Sequence, residues 1–205
     1  MDSRKFDDAQ ALLSARALPF NVDMVRAILD GRKDVTRRPV RPQPDENGLS
    51  SEASPEFRLV WWGESLCDGE WRRYRSPFGE EGSRLWVREK ARIVDYVGRV
   101  FGPSHVTLEY VADSERRTLL MPPRIKTVPI GKCIPNGCFR EAARLFLEVV
   151  NISVERIADM PTEEEARREG FKSRHEFSKA WKAIYPESWE RNEWVWRCEF
   201  KRVET

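Results

Sequence analysis

Between Leu29 and Arg38 the chain reads Leu-Asp-Gly-Arg-Lys-Asp-Val-Thr-Arg-Arg, which sets Gly31, Lys33, Thr36 and Arg38 in the spacing G-x-K-x-x-T-x-R. An amine, a hydroxyl and a guanidinium so close together suit a pocket for a polar, planar or anionic ligand. A threonine hydroxyl becomes a nucleophile only when a base takes its proton. A lysine partly desolvated in a pocket has the lowered pKa that such a base needs. Gly31 can take the left-handed conformation that stops a helix, so the chain is expected to turn there straight into a strand carrying these groups. The competing reading is a helix end followed by a solvated basic strand, since Lys and Arg are ordinary surface residues. Geometry supplies a condition. Residues three apart on a regular strand point to opposite faces, so Lys33 and Thr36 converge only if the segment bulges or turns between them.

The elements that must position this segment can be read from local pattern. Residues 1–18 form a polar, alanine-rich lead. Asn21 or Asp23 caps a helix whose Met24, Val25, Ile28 and Leu29 fall on one face, with Gly31 as its stop. Three segments, at about 41–57, 63–82 and 122–140, are expected as long surface loops, the first for its Pro, Gly and Ser content. Strands are predicted over 59–62, 84–89, 105–110, 118–121 and 143–154. Thr162 and Glu165 form a capping box for a short helix ending at Gly170. A second helix is predicted over Ser173–Ile184 from the spacing of Phe177, Ala180, Trp181 and Ile184, with Pro186 beyond its end. The last strand, 194–201, alternates Trp194, Trp196, Cys198 and Phe200 against Val195, Arg197, Glu199 and Lys201, as a half-buried strand does. The order of elements predicts an α+β chain: one domain, a small, mostly antiparallel, partly closed barrel with flanking short helices.

Composition narrows the classes. The 205 residues hold 40% hydrophobic side chains and eight tryptophans, enough for a packed core. No apolar run approaches the roughly 20 residues of a membrane span, and the charged start lacks the apolar centre of a signal peptide; a cytoplasmic protein is expected. Lys and Arg number 36 against 34 Asp and Glu, a net of +2, so nucleic-acid contact would need a local patch. Two are available: Arg32, Lys33, Arg37, Arg38 and Arg41, and then Arg72, Arg73 and Arg75 beside Trp71 and Tyr74, a mixture that single-strand binders use. Trp62 and Trp86 are expected to pack in the core, with stacking on a base as the alternative. Of the four cysteines only Cys133 and Cys138 lie close, as C-x4-C, and His105 and His175 adjoin neither. Zinc sites show paired short spacings, so free thiols are expected and no metal.

Four separated segments, in order, resemble ASCH domains, particularly those common in bacteriophage and prophage genomes. They are Pro19-Phe20 … Met24-Val25 … Ile28-Leu29 … Gly31-Arg32-Lys33 … Thr36-Arg37-Arg38-Pro39-Val40; Gly82-Ser83-Arg84-Leu85-Trp86-Val87-Arg88-Glu89; Ile152 to Ile157 with Glu164-Glu165-Ala166; and Trp189 … Trp194-Val195-Trp196 … Glu199-Phe200-Lys201. The resemblance spans residues 19–203, leaving 19–205 as one ASCH domain with the three long loops as insertions. It implies a PUA-like β-barrel whose cleft is associated with RNA or modified nucleosides. One bacterial branch of the family hydrolyses the acyl amide on the exocyclic amine of acetylcytidine, and ribonuclease activity belongs to another.

By that resemblance the working residues are Lys33, Thr36 and Glu169: base, nucleophile and proton donor to the leaving amine. The last role expects a carboxyl kept protonated by an apolar wall. Arg32, Arg37 and Arg38 would hold a ring carbonyl or a phosphate, and Glu89 is an alternative pocket carboxylate. No cofactor or metal is implied. The expected partner is a modified nucleoside or RNA, with no membrane. The runner-up is a non-catalytic RNA or modified-base binder using the same cleft, and a ribonuclease is third, because neither histidine lies in a matching segment.

Overall fold

The computed structural model describes residues 14–52, 60–98, 105–159 and 162–204. Most of the expected N-terminal lead, residues 1–13, falls outside them, as does 53–57 of the first expected loop. The architecture is α+β, with eleven strands and three short α-helices among the described residues, and strand orders that are linear in each sheet. The chain forms two compact units. One comprises residues 1–30, 84–147 and 202–205, the other 31–83 and 148–201.

In the first unit, β1 (Arg16–Pro19) runs parallel to β6 (Arg84–Arg88), with Leu18 opposite Val87. Helix α1 (Val22–Leu29) begins where the Asn21 side chain accepts from the Met24 N–H at 2.9 Å, and it buries Val25, Ala27 and Ile28. Strands β7 (Ala91–Val97), β8 (His105–Tyr110) and β9 (Arg116–Leu120) form an antiparallel meander. Along β8 the alternation holds: Val106, Leu108 and Tyr110 are buried. They share a core with Trp86, Ile93 and Phe139. Each such side chain contributes about 1.5–3 kcal/mol by leaving water. Residues 122–139 hold no strand of their own, and a 3-10 turn follows at Arg140–Ala142.

In the second unit, β2 (Val35–Pro39) pairs antiparallel with β11 (Trp194–Val203), placing Thr36 opposite Cys198 and Arg37 opposite Arg197. The local order is β10 (Phe146–Arg156), β11, β2; the chain passes from one unit to the other inside β10. A separate antiparallel meander joins β3 (Ser50–Glu52), β4 (Val60–Glu64) and β5 (Trp71–Tyr74). Helix α2 (Glu163–Arg168) is capped by the Thr162 side chain on the Glu165 N–H, and α3 (Arg174–Ile184) by Ser173 on the Glu176 N–H. Both helices bury residues against β11: Ala166, Phe177, Trp181, Ile157 and Val195 form one cluster. No helix among the described residues is long and apolar enough to cross a membrane.

Several expectations change. Strands β1 and β7 had no counterpart in the sequence reading. The segments 41–57 and 63–82 are not loops throughout: β3 lies in the first, while the second holds the end of β4 and all of β5. Strand β11 is buried on both faces near its start, since Val195 packs on the helices while Trp196 is 2% exposed. Trp86 is a core residue, as expected of it, but Trp62 is 39% exposed and therefore not.

Candidate functional site

Gly31 stops α1 at φ 71°, and no side chain crowds it, so its conformation and not its size is what the turn requires. Residues 32–34 then run outside regular structure, and β2 starts only at Val35. Lys33 is therefore not on a strand with Thr36, which corrects the expected placement and meets the condition that the segment turn between them. Both backbone groups of Asp34 pin the turn: its N–H donates to the Arg168 carbonyl at 3.0 Å, and its carbonyl accepts from the Phe200 N–H at 2.8 Å.

From that turn the Lys33 side chain enters the interior, with none of its surface exposed. Its Nζ donates to the Val35 carbonyl at 2.6 Å, the Glu169 carbonyl at 2.8 Å and Glu169 Oε2 at 2.6 Å. Three acceptors match the three hydrogens of an ammonium. Glu169 is the C-terminal cap of α2, four residues after Glu165, so both carboxylates leave one side of the helix. Arg37 meets both. Its Nη1 donates to Glu169 Oε1 at 3.2 Å, its Nη2 to Glu165 Oε2 at 2.5 Å and its Nε to Glu155 Oε1 at 2.6 Å. Arg197 closes the network on Glu165 at 2.9 and 3.1 Å.

Thr36 and Arg38 lie on the other face of β2, two residues apart. Arg38 Nη1 donates to Thr36 Oγ1 at 3.0 Å and to the Arg37 carbonyl at 2.7 Å. A cationic donor on a hydroxyl oxygen favours the alkoxide over the neutral group. The hydrogen bonds thus join Lys33 to Glu169 and Arg38 to Thr36, not Lys33 to Thr36. The site is closed: Thr36 has no exposed surface, Lys33 is 3% exposed and Glu169 2%.

Burial pushes the Lys33 ammonium below the ordinary lysine value of 10.5, against the attraction of Glu169, and the charges of Arg38 and Arg37 push the same way as burial. Arg37 is held above the usual arginine value: burial opposes its charge, but Glu169 and Glu155 outweigh it. Glu165 resists burial for the same reason, and hydrogen bonds from Arg197 and Arg37 bring its carboxyl down to about 2. Burial raises the Cys198 thiol, opposite Thr36, to about 12, so it is no thiolate nucleophile near neutrality.

Of the residues singled out from sequence, Lys33, Arg37 and Glu169 come into direct contact, with Thr36 and Arg38 beside them on β2. Arg32 stays at the surface. Glu89 belongs to the first unit, where both its oxygens accept from Arg144 at 2.9 Å. The Glu169 carboxylate is held by two cations, Lys33 and Arg37. Sequence reasoning passed over Glu155, Glu165 and Arg197 as site residues. Glu165 carried a signal, its i to i+4 spacing to Glu169, whereas the other two depend on strand pairing that no local pattern encodes. The four cysteines are free, and among the described residues no group of three or more His, Cys, Asp or Glu is arranged for a metal ion. Set against protein-family models, curated proteins and solved structures, the chain matches none.

Proposed function

We propose that this chain is an amidohydrolase that removes an acyl group from the exocyclic amine of a cytidine-type nucleoside, with Lys33, Thr36 and Glu169 supplying the chemistry without a metal. The observation that carries the reading is the 2.6 Å contact between Lys33 Nζ and Glu169 Oε2, two groups 136 positions apart to which the family resemblance assigns one site. The lowered pKa of Lys33 supports it further, because a base must spend part of its time neutral.

In this reading neutral Lys33 takes the proton of Thr36 Oγ1 as that oxygen attacks the acyl carbon. Arg38 steadies the developing alkoxide. The carbon–nitrogen bond breaks, and the proton held by Lys33 passes through Glu169 to the leaving exocyclic amine. Water then cleaves the threonine ester, releasing the carboxylic acid and restoring the hydroxyl. Arg38, half-buried against Thr36, is the side chain that must shift to admit the substrate. The fold that belongs with this reading is the PUA-like barrel, of which the β10–β11–β2 sheet would be one wall.

A second reading, a non-catalytic binder of RNA or a modified base, draws on one observation: Thr36 is wholly covered and Lys33 is ringed by acceptors, as in a purely structural ion cluster. Mass-spectrometric turnover of an acylated-cytidine panel by wild type and Thr36→Ala separates the two. The hydrolase reading expects free cytidine from wild type and none from the variant. Equal turnover by both proteins, or none by either, contradicts it.

A further inference from the structure

The β3–β4–β5 meander carries a feature that the Lys33 site does not use. In its register Trp62 lies opposite Arg73 and Glu64 opposite Trp71. Side chains alternate across a strand, so Trp62, Glu64, Trp71 and Arg73 share one face, and Arg75, next but one along, continues it. The other face takes Trp61, Arg72 and Tyr74. That second face is the inner one: Tyr74 is 4% exposed, and Trp61 packs edge-on against Trp196 at 5.5 Å. The first face is open to solvent, with Trp71 71% exposed and Trp62 39% exposed. Arg75 is exposed as well.

Isolated surface tryptophans are unremarkable. Two on adjacent strands, diagonal to one another, with an arginine directly across from one of them, are a different arrangement. Diagonal positions on an antiparallel pair lie about 7–8 Å apart, within reach of neighbouring bases splayed from a strand. An open sheet face with aromatics on adjoining strands is how several single-strand binders stack bases, and aromatic stacking with cations beside it is tolerant of sequence. Arg72, on the inner side, is ion-paired with Asp68. Arg73 and Arg75 are on the tryptophan side of the strand, as is the acidic Glu64.

We propose that this face docks single-stranded nucleic acid, with bases stacked on Trp62 and Trp71 and phosphates met by Arg73 and Arg75. The proposal is independent of hydrolysis at Lys33, and either can fail without the other. Stacking and phosphate contact are common to RNA and DNA, so both belong in the test.

Fluorescence anisotropy of a labelled oligonucleotide of about 12 nucleotides, within the usual site size of such folds, reads the binding. RNA, DNA of the same sequence, and the duplex are compared on the full chain. Wild type is expected to bind single strands more tightly than duplex; a preference for RNA would add contact with the 2′-hydroxyl, and equal affinity would mean stacking and charge alone. Trp71→Ala and Trp62→Ala should each weaken binding by roughly 5- to 150-fold, the loss of one stacked base. Trp71→Phe should restore most of it. Arg73→Ala or Arg75→Ala should flatten the dependence of log affinity on log salt by about 0.7 per phosphate lost. Leu66→Ala, at an exposed residue of the β4–β5 turn, should leave binding unchanged. Absence of single-strand binding by folded wild type, tighter binding of duplex, or affinity indifferent to both tryptophans would overturn the proposal. Sensitivity to Leu66 without sensitivity to Trp71 would do so too, pointing to an apolar protein contact instead.

Discussion

Each unit of this chain buries one cluster of charges, and the two clusters are built differently. In the first unit Arg144 is the cation shared by three carboxylates, of which Glu115 also pairs with Arg117. It donates to Glu89 through Nε and Nη2, and reaches Asp113 and Glu115 at 2.6–3.0 Å. Its guanidinium also lies 4.1 Å from the Tyr110 ring centroid. In the second unit a lysine and an arginine divide Glu169 between them, with a threonine hydroxyl on the other face of the arginine's own strand. Arginine stays charged under all ordinary conditions and holds carboxylates in a rigid fork. A cluster centred on it ties elements together and does little else. A buried lysine has a second state within reach, the neutral amine, and the second cluster is accordingly the one that can move a proton.

The sharpest way to break this contrast is to remove the two cations in turn. Lys33→Ala should cost the deacylation rate about 100- to 10,000-fold, the usual contribution of a general base, as measured by single-turnover mass spectrometry. Arg144→Ala should instead cost stability, about 3–5 kcal/mol, because it strands the buried Glu89 carboxylate. Urea unfolding measures that loss, and the folded fraction should keep its turnover. A variant at Arg144 that folds normally but loses turnover would undo the division of labour.

Dependence on pH sharpens the comparison, because the two units carry opposite signs. Lys33 titrates below 10.5 in the folded chain. Between its folded value and 10.5 the unfolded chain binds more protons, so this group makes stability rise with pH across that window. Burial raises the Glu89 carboxyl above 4.5, even against its hydrogen bonds from Arg144, and Asp113 and Glu115 add to the rise. From 4.5 up to that raised value the folded chain binds more protons, so this group makes stability fall as pH rises. Urea midpoints of Lys33→Met and Glu89→Gln across pH, set against wild type, should each lose one of these slopes. Turnover should climb with pH and level off once Lys33 is neutral; a rate that falls through that range would exclude the amine as base.

The smallest effect belongs to the outer ion pair. Asp34 and Arg168 are bonded at 3.0 and 3.3 Å, but the Asp34 side chain is 49% exposed. Asp34→Asn should therefore cost no more than about 1 kcal/mol in urea and leave the rate within a factor of a few.

Much of this was legible in the chain, for local reasons. Asn21, Thr162 and Ser173 each cap a helix with their own side chain, and a cap announces itself within four residues. The alternation of Val106, Leu108 and Tyr110 marks β8 as plainly. Strand β7 escaped because its register shifts between Ile93 and Asp95, which breaks the period-two pattern where it would be read. Strand β5 escaped because its largest apolar residue, Trp71, faces water while Arg72 faces inward. Within the site, Lys33, Thr36 and Glu169 could be picked out by motif. Glu155 and Arg197 could not, since their meeting with Arg37 and Glu165 depends on β10, β11 and β2 lying side by side.

Lys33→Arg is the variant that separates a proton-moving lysine from a merely structural cation. It preserves the positive charge facing Glu169 and withdraws the neutral state. Wild type and Lys33→Arg would be given the same acylated cytidine, each first shown to be folded by urea unfolding, and the released cytidine followed by mass spectrometry. The account predicts turnover by wild type and none by Lys33→Arg. Turnover by Lys33→Arg at a rate near that of wild type would contradict it.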